Sequence, residues 1–403
     1  MLSYANTRGL PGGAGASAAK PAQRDTRLDV IRALALITIF INHVPGQMFE
    51  HWTSKNFGFS DASEAFVLIS GIAIGLAYGR KYTVGNRLSM SMKAVRRAFV
   101  LYGAHIACTF TTLAVFALGA WWFHQPDMLE KIAIGPALAE PVKGVMAILT
   151  LGHQFGYNNI LPLYAALLLM VPGILWLESQ SPRLLVMLSI ALWFLVGLYQ
   201  IAPGNMLMDG VWFFNPLSWQ LLFVIGIVSM RHVQRGGTIY WNPFLFVAAA
   251  GYVILSAFWV TLSWWNIDIS FGLLPKVLAG FEKTYLSLPR LLHVLALAYL
   301  VVKIPFLSAA ARRPVNNPLS VLGRHSLGIF VSGTILAMIA QVLMMGMGES
   351  AAMGISLILL GIVIQFGIAY WLDDRDQKKR KQVTAKPQRA KPMLPATPIQ
   401  AAE

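Results

Sequence analysis

Charge is scarce in this chain, and acid is scarcer than base. Lys, Arg, Asp and Glu make up 12% of its 403 residues, where a soluble domain carries roughly a quarter. A water-soluble domain of ordinary composition is excluded. Asp and Glu number 17 against 32 Lys and Arg, giving a formal net charge of +15. Cysteine is nearly absent. The single Cys108 rules out an intrachain disulfide, and its place inside an apolar run reads as a small buried hydrophobe. Also missing are a Walker loop, a zinc motif, a GxSxG elbow and a dinucleotide fingerprint. No internal repeat suggests the paired halves of many transporters.

What is present is apolar length. Hydrophobic residues make up 56% of the chain, and runs of about 20 of them match the thickness of a bilayer core. The expected fold is all-α, a polytopic membrane bundle of about ten spans: 30–47, 63–79, 96–120, 159–178, 184–200, 216–231, 243–263, 287–303, 319–342 and 352–372. The run 145–152 is too short to cross and reads as an outer-face or re-entrant helix. Ten spans put both termini on one side. If that side is the cytoplasm, inner segments hold 24 Lys and Arg and outer segments six, with Arg32 and Arg324 inside spans. This bias places both termini in the cytoplasm, and it explains the basic charge without nucleic acid as a partner. Three parts are expected: a disordered N-terminal tail (1–26) lacking a secretory signal, an integral-membrane domain (27–372) and a basic disordered tail (373–403).

The first run, "RLDVIRALALITIFINH", keeps Asp29 and Arg32 at one end and Asn42 and His43 at the other. At 100° per residue, Asp29, Arg32 and His43 fall within an arc of about 60°. Arg32 and His43 are roughly 16 Å apart along the axis. Ionisable groups in a span usually face a bundle interior or a wet cavity. The stripe therefore suggests a passage, with an Asp29–Arg32 pair at the cytoplasmic mouth and an imidazole at the far side. Asp61 and Glu64, i,i+3 neighbours at the outer start of the second span, lie at the depth of His43, where a carboxylate can orient an imidazole. Mid-span Ser70 and Gly71 suit close helix packing. Arg96 and Arg97, with Arg324, would enlarge a cationic mouth able to hold phosphate. Asn42, Asn159, Tyr164, Trp219 and Gln220 are the candidate substrate contacts at the outer rim. No metal site is expected.

In order and spacing, several stretches resemble the membrane acyltransferase-3 superfamily: Arg32 and His43 with ten residues between them, "FVLISG", "MKAVRRAFVLY" and "LGRHSLGIF", which carries Ser326. "SDASEAFVLISG", "NNILPLY" and "NPLSWQLLF" are closer to its OpgC-type branch, the periplasmic glucan succinyltransferases. Two positions depart. Gly333 stands where the superfamily often has histidine, and Asn159 where the branch often has Asp. The resemblance implies a multi-pass enzyme of the bacterial inner membrane. Its co-substrate would be cytoplasmic acyl-CoA, with succinyl-CoA the implied donor and no tightly bound cofactor. Arg32, Arg96, Arg97 and Arg324 would hold the coenzyme A phosphates, and His43, aided by Glu64 or Asp61, would serve a carbohydrate acceptor outside. Partners would be membrane lipid, acyl-CoA and periplasmic glucan. A non-catalytic transporter or flippase for a glucan or lipid-linked sugar is the alternative on the same polar passage.

Overall fold

The computed structural model describes residues 25–385. Fifteen α-helices follow one another, with no β-strand among the described residues. They are α1 (Arg27–Asn42), α2 (Ala62–Tyr78), α3 (Arg87–Trp122), α4 (Gly135–Ala139), α5 (Pro141–Leu149), α6 (Ile160–Gln180), α7 (Pro182–Leu198), α8 (Pro216–Gln234), α9 (Pro243–Thr261), α10 (Lys276–Ala279), α11 (Leu288–Lys303), α12 (Pro305–Ala311), α13 (Pro318–Arg324), α14 (Ser326–Met347) and α15 (Ala351–Ala385).

Each of the ten expected spans coincides with a helix, but length and apolarity support fewer crossings. Seven helices are long and apolar enough to span a bilayer: α2, α3, α6, α8, α9, α14 and α15. An eighth span results only if α11 and α12, bent by 88° at Pro305, are taken together. The other expected spans fall on α1, with 16 residues, and α7, with 17, both short of the roughly 20 residues a straight crossing needs. The run 145–152 falls largely on α5, a nine-residue helix.

The described structure reaches past both expected tail boundaries, towards the termini. The N-terminal tail was to reach residue 26, yet Thr26 is buried and donates to the Arg313 carbonyl. The basic tail was to begin at 373, yet α15 continues to Ala385. Pairs at i,i+4 spacing favour this extension: Lys378 lies 2.6 Å from Asp374, and Gln377 donates to Asp373 at 2.8 Å. Asp373 is also held by Arg324 at 2.6 Å. The remainder of both expected tails, 1–24 and 386–403, lies outside the described residues. The Arg324–Asp373 pair and the Thr26 bond place the start of α1 and the charged half of α15 at one end of the bundle.

Small residues set the closest crossings, as expected where helix packing rather than water exclusion brings helices together. A Cβ on Gly71 would stand 2.2 Å from the Phe223 carbonyl oxygen, and one on Gly226 would stand 2.4 Å from that of Leu68, so α2 and α8 meet backbone to backbone. The tightest case is Gly323 of α13, where a Cβ would lie 1.7 Å from the Asp29 carbonyl oxygen. Gly323→Ala must push α1 and α13 apart, an overpacking cost of about 1–3 kcal/mol or more. The expected result is a clear drop in thermal midpoint and extractable protein. Gly103→Ala in α3 is the control, because its Cβ meets nothing within 4 Å.

Candidate functional site

The polar stripe on α1 faces inward. Arg32, Ile39 and His43 follow at i, i+7 and i+11, within about 40° of one another on a helix. Asp29 is buried on the same side and lies 3.6 Å from Arg32. Arg32 also donates to the Gly323 carbonyl at 3.4 Å. His43 caps α1 in near-helical backbone, so the stripe survives to its end.

At the end where α1 finishes and α2 begins, a cavity of about 610 Å³ is lined by Asn42, His43, Asp61, Tyr157, Asn159 and Lys283, among others. The His43 ring stacks on Tyr157 with centroids 4.4 Å apart and planes at 26°. Gln341 of α14 donates to the His43 carbonyl at 2.6 Å, fixing the turn. The ring Nδ1 is sealed and has no hydrogen-bond partner among the described residues, which leaves Nε2 as the nitrogen open to the cavity. Burial, with the Glu50 charge adding to it, raises the Tyr157 hydroxyl above its ordinary pKa, so Tyr157 stays neutral near pH 7. Asn42 accepts a 2.7 Å hydrogen bond from Thr53. Asn159 sits at the start of α6 but makes no capping bond, so its amide is available to the cavity.

Behind this wall lies a four-membered charge network. Asp61 caps α2, and Glu64 returns a 2.9 Å bond to the Asp61 N–H, forming a capping box. Arg290 reaches Glu64 at 2.6 Å and Asp61 at 3.7 Å, and Lys283 pairs with Asp61. Burial acts to raise the Asp61 carboxyl, but Lys283 and Arg290, with hydrogen bonds from Lys283 and Ser63, outweigh it and hold the group below the usual carboxylate range. A depressed carboxyl contributes stability above its unfolded pKa and loses it only as pH falls through the lowered value. Lys283→Gln should therefore move acid unfolding to higher pH. Arg290→Gln strands the fully buried Glu64 and should cost about 3–5 kcal/mol, read as thermal midpoint in detergent.

The end where α1 begins and α15 finishes holds a second cavity, of about 210 Å³, lined by Arg32, Arg97 and Arg324 with Ser70, Tyr164 and Ser326. Two of these guanidiniums have carboxylate partners, Asp29 for Arg32 and Asp373 for Arg324. Arg97 makes no ion pair among the described residues, so the chamber carries net positive charge. Ile160 and Phe330 line both cavities. The two chambers thus lie back to back along α1 with this apolar pair as the shared wall.

Several expected site residues stand elsewhere. Glu64 is sealed by Arg290 and Asp61, and neither it nor Asp61 hydrogen-bonds His43; the capping box turns both carboxylates onto α2's own N-terminus and the two cations. Tyr164 belongs to the second cavity, because it lies a full turn into α6. Trp219 is fully buried against Phe214, with its indole donating to the Lys283 carbonyl at 3.0 Å, which leaves no face for a sugar. Gln220 is buried in a two-way bond with Ser189. Arg96 points outward from α3 and lines neither chamber. Gly71 sits at the α2–α8 crossing, while Ser70 lines the second cavity. Among the described residues, no three His, Cys, Asp or Glu side chains group to hold a metal.

Residues the sequence did not single out are Tyr157, Ile160, Lys283, Phe330 and Gln341. Phe330 closes "LGRHSLGIF" and Ile160 lies inside "NNILPLY", a stretch that Tyr157 directly precedes. Lys283 and Gln341 carry no local signal, since their partners are more than 200 residues away.

The family model described as OpgC protein matches residues 24–377. No curated protein and no solved structure matches the chain.

Proposed function

The chain belongs to the OpgC protein family, whose membership indicates a glucan-modifying acyltransferase, and on that footing we propose that it is an inner-membrane O-acyltransferase drawing on cytoplasmic acyl-CoA, with succinyl as the acyl group. The acceptor is a hydroxyl of a periplasmic glucan. The observation that carries the proposal is the pair of chambers, one basic and one with a histidine, whose linings share Ile160 and Phe330.

Arg32, Arg97 and Arg324 hold coenzyme A phosphates at the mouth, guanidinium being matched to phosphate geometry. The pantetheine arm passes Ile160 and Phe330 and presents its thioester in the outer chamber. His43 Nε2 takes the proton of a sugar hydroxyl as its oxygen attacks the thioester carbonyl. The C–O bond forms, the C–S bond breaks, and the proton passes to the departing thiolate, so free coenzyme A leaves as its thiol. Asn42, Asn159 and Lys283 are the donors available to the transient oxyanion.

A succinyl donor also needs a cation for its free carboxylate. Of the three lysines in the outer wall, Lys55 pairs with Glu50 and Lys283 with Asp61, whereas Lys131 forms no ion pair among the described residues. Lys131→Gln should raise the KM for succinyl-CoA about tenfold, by loss of a charge-assisted hydrogen bond, and leave acetyl-CoA kinetics unchanged.

The test is reconstitution in liposomes with succinyl-CoA sealed inside and a neutral gluco-oligosaccharide outside. The proposal expects succinylated sugar outside and free coenzyme A inside, both seen by mass spectrometry. Sugar crossing the bilayer with no thioester consumed would replace the enzyme with a transporter.

A further inference from the structure

Beside the histidine chamber lies a third cavity, of about 180 Å³, lined by Gln154, Asn159, Asn205, Trp212 and Phe213 together with the loop backbone around Leu151 and Gly156. It shares Gly156, Asn159 and Phe213 with the outer chamber, so the two are contiguous. We infer that this side chamber is the acceptor subsite, and that it seats one neutral pyranose unit with a hydroxyl directed towards His43. The inference rests on the acyl-transfer reading and adds to it the residues that would choose the acceptor.

The chemistry of the lining carries the argument. It contains no Asp, Glu, Lys or Arg, and both ring nitrogens of its one titratable residue, His153, are taken by Asn205 and Ala133, so a phosphorylated headgroup or an acidic sugar would find no charged side chain free to bond it, at a desolvation cost. It does contain three carboxamides and an indole with unused hydrogen-bonding capacity. The Asn159 amide and the Trp212 indole N–H hydrogen-bond to nothing among the described residues. The Gln154 side chain donates once, weakly, to Leu151 at 3.4 Å. The Asn205 oxygen is occupied, but its NH₂ donates to nothing. Neutral amides that both donate and accept match hydroxyl groups, and Trp212 and Phe213 offer aromatic surface to the apolar face of a sugar ring.

The chamber is also preformed, as a ligand site should be. His153 is buried and spans it, bonding Asn205 Oδ1 at 3.1 Å and the Ala133 carbonyl at 2.8 Å. The same Asn205 oxygen accepts the N–H groups of Leu207 and Met208 at 2.9 and 3.2 Å. Leu151 and Gly156 hold left-handed backbone, φ 62° and 45°, which for a leucine is kept only where its surroundings impose it.

The experiment uses the full-length protein in nanodiscs without any acyl donor, with a fluorescently tagged neutral gluco-oligosaccharide as probe and anisotropy as readout. The wild type should bind it, and bind a uronic-acid oligomer of equal length more weakly. Trp212→Ala should weaken neutral-sugar binding about tenfold or more. Gln154→Ala should weaken it about threefold, and Trp212→Phe should retain most of it. Asn205 is left intact, because its oxygen braces the loop. Trp212→Ala and Gln154→Ala proteins that melt like wild type and bind within twofold of it would overturn the assignment, as would equal binding of the charged oligomer. The outcomes separate from the acyl-transfer reading. Wild-type protein that binds sugar through Trp212 yet transfers nothing would sink that reading and keep the subsite. Transfer with an unchanged acceptor KM in Trp212→Ala would do the reverse.

Discussion

His43→Ala should lower acyl transfer by about 10²–10⁴-fold, the usual contribution of a positioned general base, while the protein stays folded and still binds acyl-CoA. The fold should tolerate the change because the interactions that set the α1 terminus are backbone ones: the His43 N–H bonds Ile39 and Phe40, and its carbonyl accepts from Gln341. The side chain contributes a stack on Tyr157 and an Nδ1 that nothing satisfies, so truncation breaks no internal hydrogen bond of the imidazole. Donor binding should persist because Arg32, the arginine proposed to hold phosphate on the same helix, is roughly 16 Å away along α1, and Arg97 and Arg324 belong to α3 and α13. The measurement is single-turnover transfer in detergent, with donor affinity determined separately. A variant transferring at the wild-type rate would remove His43 from the chemistry.

The second large effect concerns the wall between the chambers. Phe330→Trp adds bulk in the wall the two chambers share, which Ile160 of α6 and Phe330 of α14 both line. It should cut transfer about 10²-fold, since misplacing a reacting centre by about 1 Å costs that much. Acyl-CoA affinity should stay within a few-fold, because Arg32, Arg97 and Arg324 are untouched. Phe330 also packs near Phe66, with centroids 6.4 Å apart, so melting temperature must accompany the assay. A folded variant with unchanged transfer would mean that the thioester reaches His43 by another route.

Much of this site was legible in the sequence where a short period carries the information. Helical arithmetic alone put Asp29, Arg32 and His43 on one face, because α1 is regular over that length. The i,i+3 spacing of Asp61 and Glu64 likewise marked a helix start. What such spacing leaves open is the partner across the fold. The two carboxylates answer to Arg290 and Lys283, about 220 residues on, rather than to the nearby imidazole. Trp219 and Gln220 show the same limit. An aromatic and an amide at the start of an apolar helix can face a rim or a core, and α8 is buried on nearly every side. Boundaries are legible only as far as composition carries them: the i,i+4 pairs around Asp373 and Asp374 carry α15 past the point where apolarity stops. Of about ten expected crossings, length and apolarity support seven or eight, because α1 and α7 have only 16 and 17 residues.

The central claim is that donor and acceptor meet through one passage along α1. Its most direct test is a cryo-EM map of the protein with a non-hydrolysable thioether analogue of succinyl-CoA. The account predicts density for the phosphates beside Arg32, Arg97 and Arg324, a pantetheine arm between Ile160 and Phe330, and the acyl end within reach of His43 Nε2. A donor bound wholly on one side, with Ile160 and Phe330 closed and the acyl carbon remote from His43, would contradict it.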